Sequence, residues 1–215
     1  MTQPLLHWCK IYQELKQQSL CLDIETTGYN GPIAVIGLYK PKDGVMECES
    51  FVKGKNLDRE TLRKAFDGCK MLITYNGLYF DVPKVKQEFP GIIREGTPVI
   101  DLYRFAKNLE LDTNLKVLEN TLGIERLEDY QKKRGIATKL WRKYSQYNDA
   151  LALNMLLEYN RQDTINLYPI AEELVTRATK KHNQQNQELR ISNPYSKSNP
   201  PTTISTSSTS TLIHI

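Results

Sequence analysis

Histidine, cysteine and long apolar runs are scarce in this chain, and each shortage argues against one class of protein. Its 215 residues include three histidines and four cysteines, and no two cysteines form a C-x-x-C pair. A zinc site is therefore not expected, and reduced thiols in an intracellular protein are the simpler interpretation. No apolar run approaches the roughly 18 residues of a membrane span, and the N-terminal stretch lacks a signal-peptide core. We expect a cytoplasmic protein outside the membrane.

Strong net charge is also absent, because the chain carries only +4 at neutral pH. That balance permits nucleic-acid binding without requiring it, so the distribution of charge matters more than its sum. The length and the hydrophobic content of 40% suit one globular domain. After residue 180 the composition shifts to Asn, Gln, Ser, Thr and Pro, which bury too little apolar surface to fold. We predict a domain over 1–180 and a disordered tail over 181–215.

The order of predicted elements favours an α/β fold. Strands are predicted over 20–25, 31–39, 45–52, 70–75 and 98–101, and helices over 5–18, from Asn56 or Asp58 to 67, and over 83–90, 102–108, 114–122, 136–147 and 150–179. Pro169 is expected to kink or restart the last helix. This order predicts a mixed five-stranded sheet flanked by helices, with an antiparallel meander of the first three strands and the first strand at its centre.

Two carboxylates lie on one face of the first predicted strand. Leu20, Leu22 and Ile24 alternate with polar positions, and Asp23 and Glu25 are two residues apart, so both project to the same side. Two unpaired anions in a half-buried sheet repel each other, and a divalent cation between them would resolve this. The alternative is that both acids face water and bind nothing, as most exposed acids do. The metal hypothesis therefore depends on further carboxylates.

Further carboxylates follow at two predicted element edges. Asp81 follows the fourth strand, where open α/β sheets place ligand groups, although it could instead be a helix N-cap. Asp163 lies four residues after Tyr159 on a helix, so the two share a face, and the alternative is a simple surface pair. Asp101 also lies at a strand end, and we assign it a structural or supporting role.

Together, Asp23, Glu25, Asp81 and Asp163 form a donor set made only of oxygen atoms. Oxygen ligands select hard cations such as Mg²⁺ or Mn²⁺ over zinc. Four acids around two ions about 4 Å apart is the arrangement used for in-line attack on phosphodiesters.

Three segments resemble the exonuclease motifs of the DnaQ-like superfamily, which has a ribonuclease H-like fold and the DEDD carboxylate set. They are Asp23-Ile-Glu-Thr-Thr-Gly, Asn76-Gly-Leu-Tyr-Phe-Asp81 and Tyr159-x-x-x-Asp163. The tyrosine four residues before the last Asp is similar to the DEDDy branch, since the histidine branch would need His where Glu158 stands. Over roughly residues 5–174 the chain looks most like YprB-type domains, which are predicted 3′–5′ exonucleases. The matching pieces include Val99-Ile-Asp-Leu and Leu115-Lys-x-Leu-Glu.

The resemblance implies a two-metal 3′–5′ exonuclease that releases nucleoside monophosphates from single-stranded DNA or RNA with a free 3′ end. Two divalent cations, Mg²⁺ or Mn²⁺, are the implied cofactors. Asp23, Glu25 and Asp163 would hold the metal that carries the nucleophilic water, and Asp23 would bridge to a second metal supported by Asp81. Tyr159 would orient the water by hydrogen bonding, because a phenol with an ordinary pKa is a poor base at neutral pH. Thr26 and Asn76 would contact the terminal nucleotide.

The segment over 131–148 has no acidic residue and many basic and aromatic ones. Basic groups for phosphates and aromatic faces for bases are typical of single-strand binding. We therefore predict nucleic-acid contacts here. The alternative is that Trp141 and Tyr144, three residues apart, attach the helix to the core and leave the basic groups in solvent. The predicted contacts include Lys132, Lys133, Arg134 and Arg142.

Two competing functions use the same fold. One is a catalytically idle module that binds nucleic acid or a partner protein, and its expected mark would be the loss of a carboxylate. None of the four is lost. The other is a structure-specific endonuclease, which only the analysis of reaction products distinguishes from an exonuclease.

Overall fold

A computed structural model describes residues 3–126 and 135–192. In chain order the elements are α1 (Gln3–Leu15), β1 (Ser19–Thr26), β2 (Ile33–Lys42), β3 (Val45–Val52), α2 (Arg59–Ala65), β4 (Met71–Thr74), α3 (Asp81–Glu88), β5 (Val99–Asp101), α4 (Leu102–Asn108), α5 (Leu115–Leu122), α6 (Ile136–Tyr147) and α7 (Ala150–Ser192). Within the described ranges, no helix combines the length and the apolar composition that crossing a membrane requires.

The five strands form one sheet in the order β3-β2-β1-β4-β5, with β1 at the centre. β1 and β2 pair antiparallel, as do β2 and β3. β1 pairs parallel with β4, and β4 pairs parallel with β5. The predicted mixed five-stranded sheet, its meander and its central strand are therefore confirmed.

Alternation along β1 assigns its side chains to two separate cores. Leu20, Leu22 and Ile24 pack under α2 and α3 on one face of the sheet. Cys21 points to the opposite face, where α7 packs together with α1, α4 and α5. Asp23 and Glu25 lie two and four residues after Cys21, so their side chains project to the same face of the sheet, which α7 covers.

Local signals begin and end several helices as the sequence predicts. The Asp58 carboxylate accepts a hydrogen bond from the Thr61 N–H at 2.9 Å, which identifies Asp58 rather than Asn56 as the N-cap of α2. Asn114 caps α5, and Gly123, with a φ of 71°, ends it in the left-handed conformation. β2 begins only at Ile33, because a turn over 27–32 occupies the start of its predicted range.

α7 decides one prediction and corrects another. Of the two outcomes expected at Pro169, a kink or a restart, the restart does not occur, because the helix is continuous from Ala150 to Ser192. Pro169 is exposed while its neighbours Leu167 and Ile170 are buried, so core packing holds the helix across the missing backbone hydrogen bond. The predicted end of this helix at residue 179 is wrong, since the helix continues through 181–192, where Gln, Glu, Lys and Arg favour helix despite their polarity. The domain boundary at residue 180 stays a prediction. Residues 193–215 of the predicted tail lie outside the described residues.

Candidate active site

Three of the four predicted carboxylates meet on the α7 side of the sheet. Asp23 and Glu25 come from β1, and Asp163 comes from α7. One carboxylate oxygen from each of the three lies within 4.8 Å of the others. Asp163 is buried, and Asp23 and Glu25 are partly buried. These carboxylates are far apart in sequence and meet because α7 crosses the centre of the sheet.

Gly37 allows this close crossing. It lies directly opposite Asp23 in the β1–β2 ladder. A Cβ atom at position 37 would collide with Thr164 Oγ1 and Asn160 Oδ1 and would lie 3.1 Å from Asn160 Cγ. Because glycine has no side chain, α7 can pack against the strand at this point and bring Asp163 to the carboxylates of β1. Sequence reasoning missed this residue, although a single glycine inside an apolar strand was a signal for a close backbone approach.

Asn160 fixes the Asp23 carboxylate from α7. Its Nδ2 donates to Asp23 Oδ2 at 2.7 Å and, more weakly, to the Asp23 carbonyl oxygen at 3.3 Å. The side chain is fully buried, and among the described residues its Oδ1 accepts no hydrogen bond. Asn160 thus orients one oxygen of Asp23 toward the helix. No rule on sequence spacing identifies such a residue, because the contact joins β1 to α7, which are far apart in sequence.

The negative charges of the cluster act on each other's protonation. Burial raises the pKa of Asp23 well above its usual range, and the charges of Asp163, Glu25 and Asp81 raise it further, against the hydrogen bond from Asn160. Burial also raises the pKa of Tyr159, again assisted by Asp163, Glu25 and Asp23. Tyr159 therefore keeps its proton at neutral pH and is a hydrogen-bond donor, not a base.

Asp81, the fourth predicted carboxylate, lies outside the group of three. It is the first residue of α3, whose N-cap is Phe80, so the alternative interpretation of Asp81 as an N-cap does not hold. Its Oδ1 accepts a hydrogen bond from the Ile24 N–H at 3.0 Å, between the two acids of β1. Burial raises the pKa of Asp81 to about 7. Asp81 thus borders the cluster and contributes to its negative field.

The loop after β4 is anchored by Asp101, in keeping with the supporting role assigned to it. The Asp101 carboxylate accepts hydrogen bonds from the backbone N–H groups of Asn76, Leu78 and Tyr103 at 2.9, 3.1 and 3.1 Å. Asn76 is exposed and has a φ of 57°. The Thr26 hydroxyl donates to the Gly28 carbonyl oxygen at 2.8 Å. Since β1 and β4 are parallel, Thr26 and Asn76 lie at the same edge of the sheet, and their contact with substrate stays a prediction.

Arg126 is a charged neighbour of the cluster that sequence reasoning missed. Its guanidinium donates to Asp163 and to the buried Glu119, which also accepts a hydrogen bond from Asn166. Burial alone would lower the pKa of Arg126, but the hydrogen bonds and charges of Glu119 and Asp163 outweigh it and raise the pKa. The residue is therefore permanently cationic.

The basic segment is described only in part. Lys132, Lys133 and Arg134 lie outside the described residues, whereas Arg142 is exposed on α6. Trp141 is only 8% exposed and belongs to the core between α6, α7 and β2, and Tyr144 packs against that core. The attachment of this helix by its aromatic residues is thus confirmed for Trp141 and Tyr144. Tyr147, at 77% exposed, stays available to solvent.

The family comparison agrees with this geometry. A family model described as RNase_H superfamily matches residues 20–175. The matched span begins with β1, ends within α7 and includes all four carboxylates. No curated protein matches the chain.

Proposed function

The chain belongs to the RNase_H superfamily, and from this premise we propose that it is a metal-dependent 3′–5′ exonuclease of the DEDDy type, similar to YprB-type domains. The superfamily and the ribonuclease H-like sheet imply a nucleic-acid substrate. The observation that carries the finer proposal is the meeting of Asp23, Glu25 and Asp163, whose carboxylate oxygens lie within 4.8 Å of one another, with the Tyr159 phenol beside Asp163.

The donor set fits a hard divalent cation. All candidate ligand atoms in the group are carboxylate oxygens, which Mg²⁺ and Mn²⁺ prefer. Burial and then the neighbouring anions raise the pKa of Asp23, and a cation would relieve the repulsion between these anions. Asp23, Glu25 and Asp163 would hold one ion, and Asp23 and Asp81 would hold a second. When bound, such ions supply an activated water and neutralise charge on the departing 3′ oxygen.

The chain's own residues would then position the reactants. Tyr159 keeps its proton and can hold the attacking water by hydrogen bonding. Asn160 restrains Asp23 through the 2.7 Å hydrogen bond. Asn76 and Thr26, at one edge of the sheet, would contact the terminal nucleotide. The phosphates further along the strand would meet the predicted basic contacts Lys132, Lys133, Arg134 and Arg142.

The decisive experiment uses 5′-labelled single-stranded DNA and RNA of one sequence, each with Mg²⁺, with Mn²⁺ and with EDTA. We expect a metal-dependent ladder that shortens from the 3′ end with at least one of the two substrates. Asp23→Ala should abolish it. Asp67→Ala is the matched control, because the Asp67 side chain is 82% exposed and lies outside the cluster. Tyr159→Phe should slow cleavage while leaving metal binding intact.

A circular single-stranded substrate separates the competing functions. An exonuclease leaves the circle intact, since it has no 3′ end, whereas an endonuclease linearises it. Intact linear substrate in every lane, from protein shown to be folded by circular dichroism, would contradict nuclease activity. Binding without cleavage would then favour the catalytically idle module.

A further inference from the structure

A buried ion-pair network reaches Asp163 from the side of α5. The Arg126 guanidinium donates through Nε to Glu119 Oε2 at 2.6 Å and through Nη2 to Glu119 Oε1 at 2.9 Å. The same Nη2 also donates to Asp163 Oδ1. Glu119 is only 1% exposed, and the Arg126 side chain is 12% exposed. One guanidinium thus joins a buried glutamate to a carboxylate of the acidic cluster.

Glu119 is itself held in place from α7. Asn166 Nδ2 donates to Glu119 Oε1 at 3.0 Å. Asn166 lies three residues after Asp163, so both project from one side of the helix. The network therefore has two attachments on α7, and Arg126 is fixed between them.

This arrangement prevents Arg126 from withdrawing. Moving the guanidinium away would leave the Glu119 carboxylate buried and unpaired, which is strongly unfavourable. Deprotonation is no alternative, because a guanidinium in a protein stays charged. Arg126 is thus a permanent neighbour of Asp163, not a counter-ion that exchanges with solvent cations.

We propose that Arg126 is a positioning residue of the metal centre, an inference that rests on the proposed function. Its hydrogen bond restrains rotation of the Asp163 carboxylate, so that this ligand is already oriented before a cation arrives. Outer groups that orient metal ligands contribute about 10-fold or more to metal affinity.

A fixed positive charge beside the cluster also has an opposite effect, since it repels a metal cation. The sign of the change in affinity on removing Arg126 therefore distinguishes the two roles. Loss of positioning weakens metal binding, whereas loss of a purely electrostatic neighbour tightens it.

The test measures Mn²⁺ binding to the full chain by electron paramagnetic resonance and isothermal titration calorimetry. Arg126→Lys keeps the charge but loses the two-pronged geometry. The double variant Glu119→Gln with Arg126→Met removes the pair without leaving Glu119 as a buried unpaired charge, which limits the risk of misfolding. Arg177→Lys is the control, because Arg177 forms a partly exposed ion pair with Glu173 on α7, outside the group of three carboxylates. Circular dichroism establishes that each variant is folded.

We expect Arg126→Lys and the double variant to bind Mn²⁺ about 10-fold more weakly than wild type. Arg177→Lys should bind it as wild type does. The nuclease activity of these two Arg126 variants should recover toward the wild-type kcat at higher metal concentration, which a general structural defect would not allow.

Other outcomes overturn the inference. Wild-type or tighter Mn²⁺ binding in the double variant, or wild-type binding in Arg126→Lys, would reject positioning by Arg126 while leaving the proposed metal centre in place. Absence of Mn²⁺ binding in the wild-type chain would instead reject the metal centre itself, and the role of Arg126 with it.

Discussion

Replacing Gly37 with alanine tests the close packing of α7 on the sheet. The new Cβ would collide with Asn160 Oδ1 and Thr164 Oγ1, two buried groups on α7. Neither can move freely, since Asn160 Nδ2 is bonded to Asp23 and the Thr164 hydroxyl donates to the Asn160 carbonyl oxygen at 2.7 Å. The helix must therefore shift, or Asn160 must release Asp23.

The magnitude follows from two opposing terms. Overpacking of a well-packed interior lowers the free energy of unfolding by about 1–3 kcal/mol, and two collisions favour the upper part of that range. Replacing glycine restricts the unfolded chain, which returns about 0.4–1 kcal/mol. We expect a net loss of about 2 kcal/mol, which for a chain of this size lowers Tm by about 4–8 °C.

Thermal and urea unfolding followed by circular dichroism measure this loss. Gly28→Ala is the control, because a Cβ there meets nothing within 4 Å and its φ requires no glycine. The control should be as stable as wild type or slightly more so. If Gly37→Ala unfolded at the same temperature as Gly28→Ala, the close approach between β2 and α7 would be refuted.

Three further predictions concern the surroundings of the site. Burial raises the pKa of Asp81 to about 7, so the folded metal-free chain retains a proton that the unfolded chain loses near pH 4. The free energy of unfolding therefore falls as the pH rises from about 4 to 7, by at most about 4 kcal/mol. Asp81→Asn should flatten this dependence in urea titrations with EDTA, and an unchanged slope would contradict the assignment. Trp141→Ala should lose about 3–5 kcal/mol of stability. Tyr147→Ala should change stability by under about 0.5 kcal/mol and weaken oligonucleotide binding in fluorescence anisotropy. Equal stabilities of the two variants would contradict the core role of Trp141. Asp101→Ala should lower the free energy of unfolding by about 3 kcal/mol, because four backbone donors, the weakest of them the Arg104 N–H at 3.5 Å, lose their acceptor. Unchanged hydrogen exchange at Asn76 would count against this.

Elements with strong local signals were predictable from the sequence. The bounds of β3, α4 and α6 agree with the prediction residue for residue. Apolar positions on both faces of β1 were enough to place that strand at the centre of the sheet, and its alternation placed the two acids on one face. In each case the signal is a local periodicity of side chains or a capping residue, and such signals act over a few residues only.

The course of α7 shows where local signals fail. Pro169 removes a backbone hydrogen bond, and from the sequence that loss argues for a kink or a restart. In the fold, Leu167, Ile170 and Leu174 are buried on the sheet, and their packing keeps the helix continuous. Local propensity was outweighed by contacts that the sequence does not display.

Which acids are present, their order along the chain and the fold that carries them could all be predicted from the amino-acid sequence. How these acids are held in place became visible only in the folded chain. Gly37 faces Asn160. Arg126 joins Glu119 to Asp163, and the contacts with Asn160 and Asp163 connect residues that are far apart in sequence. Such contacts have no period and no fixed spacing, because they depend on the path by which α7 crosses the sheet, and that path is set by the packing of the whole core.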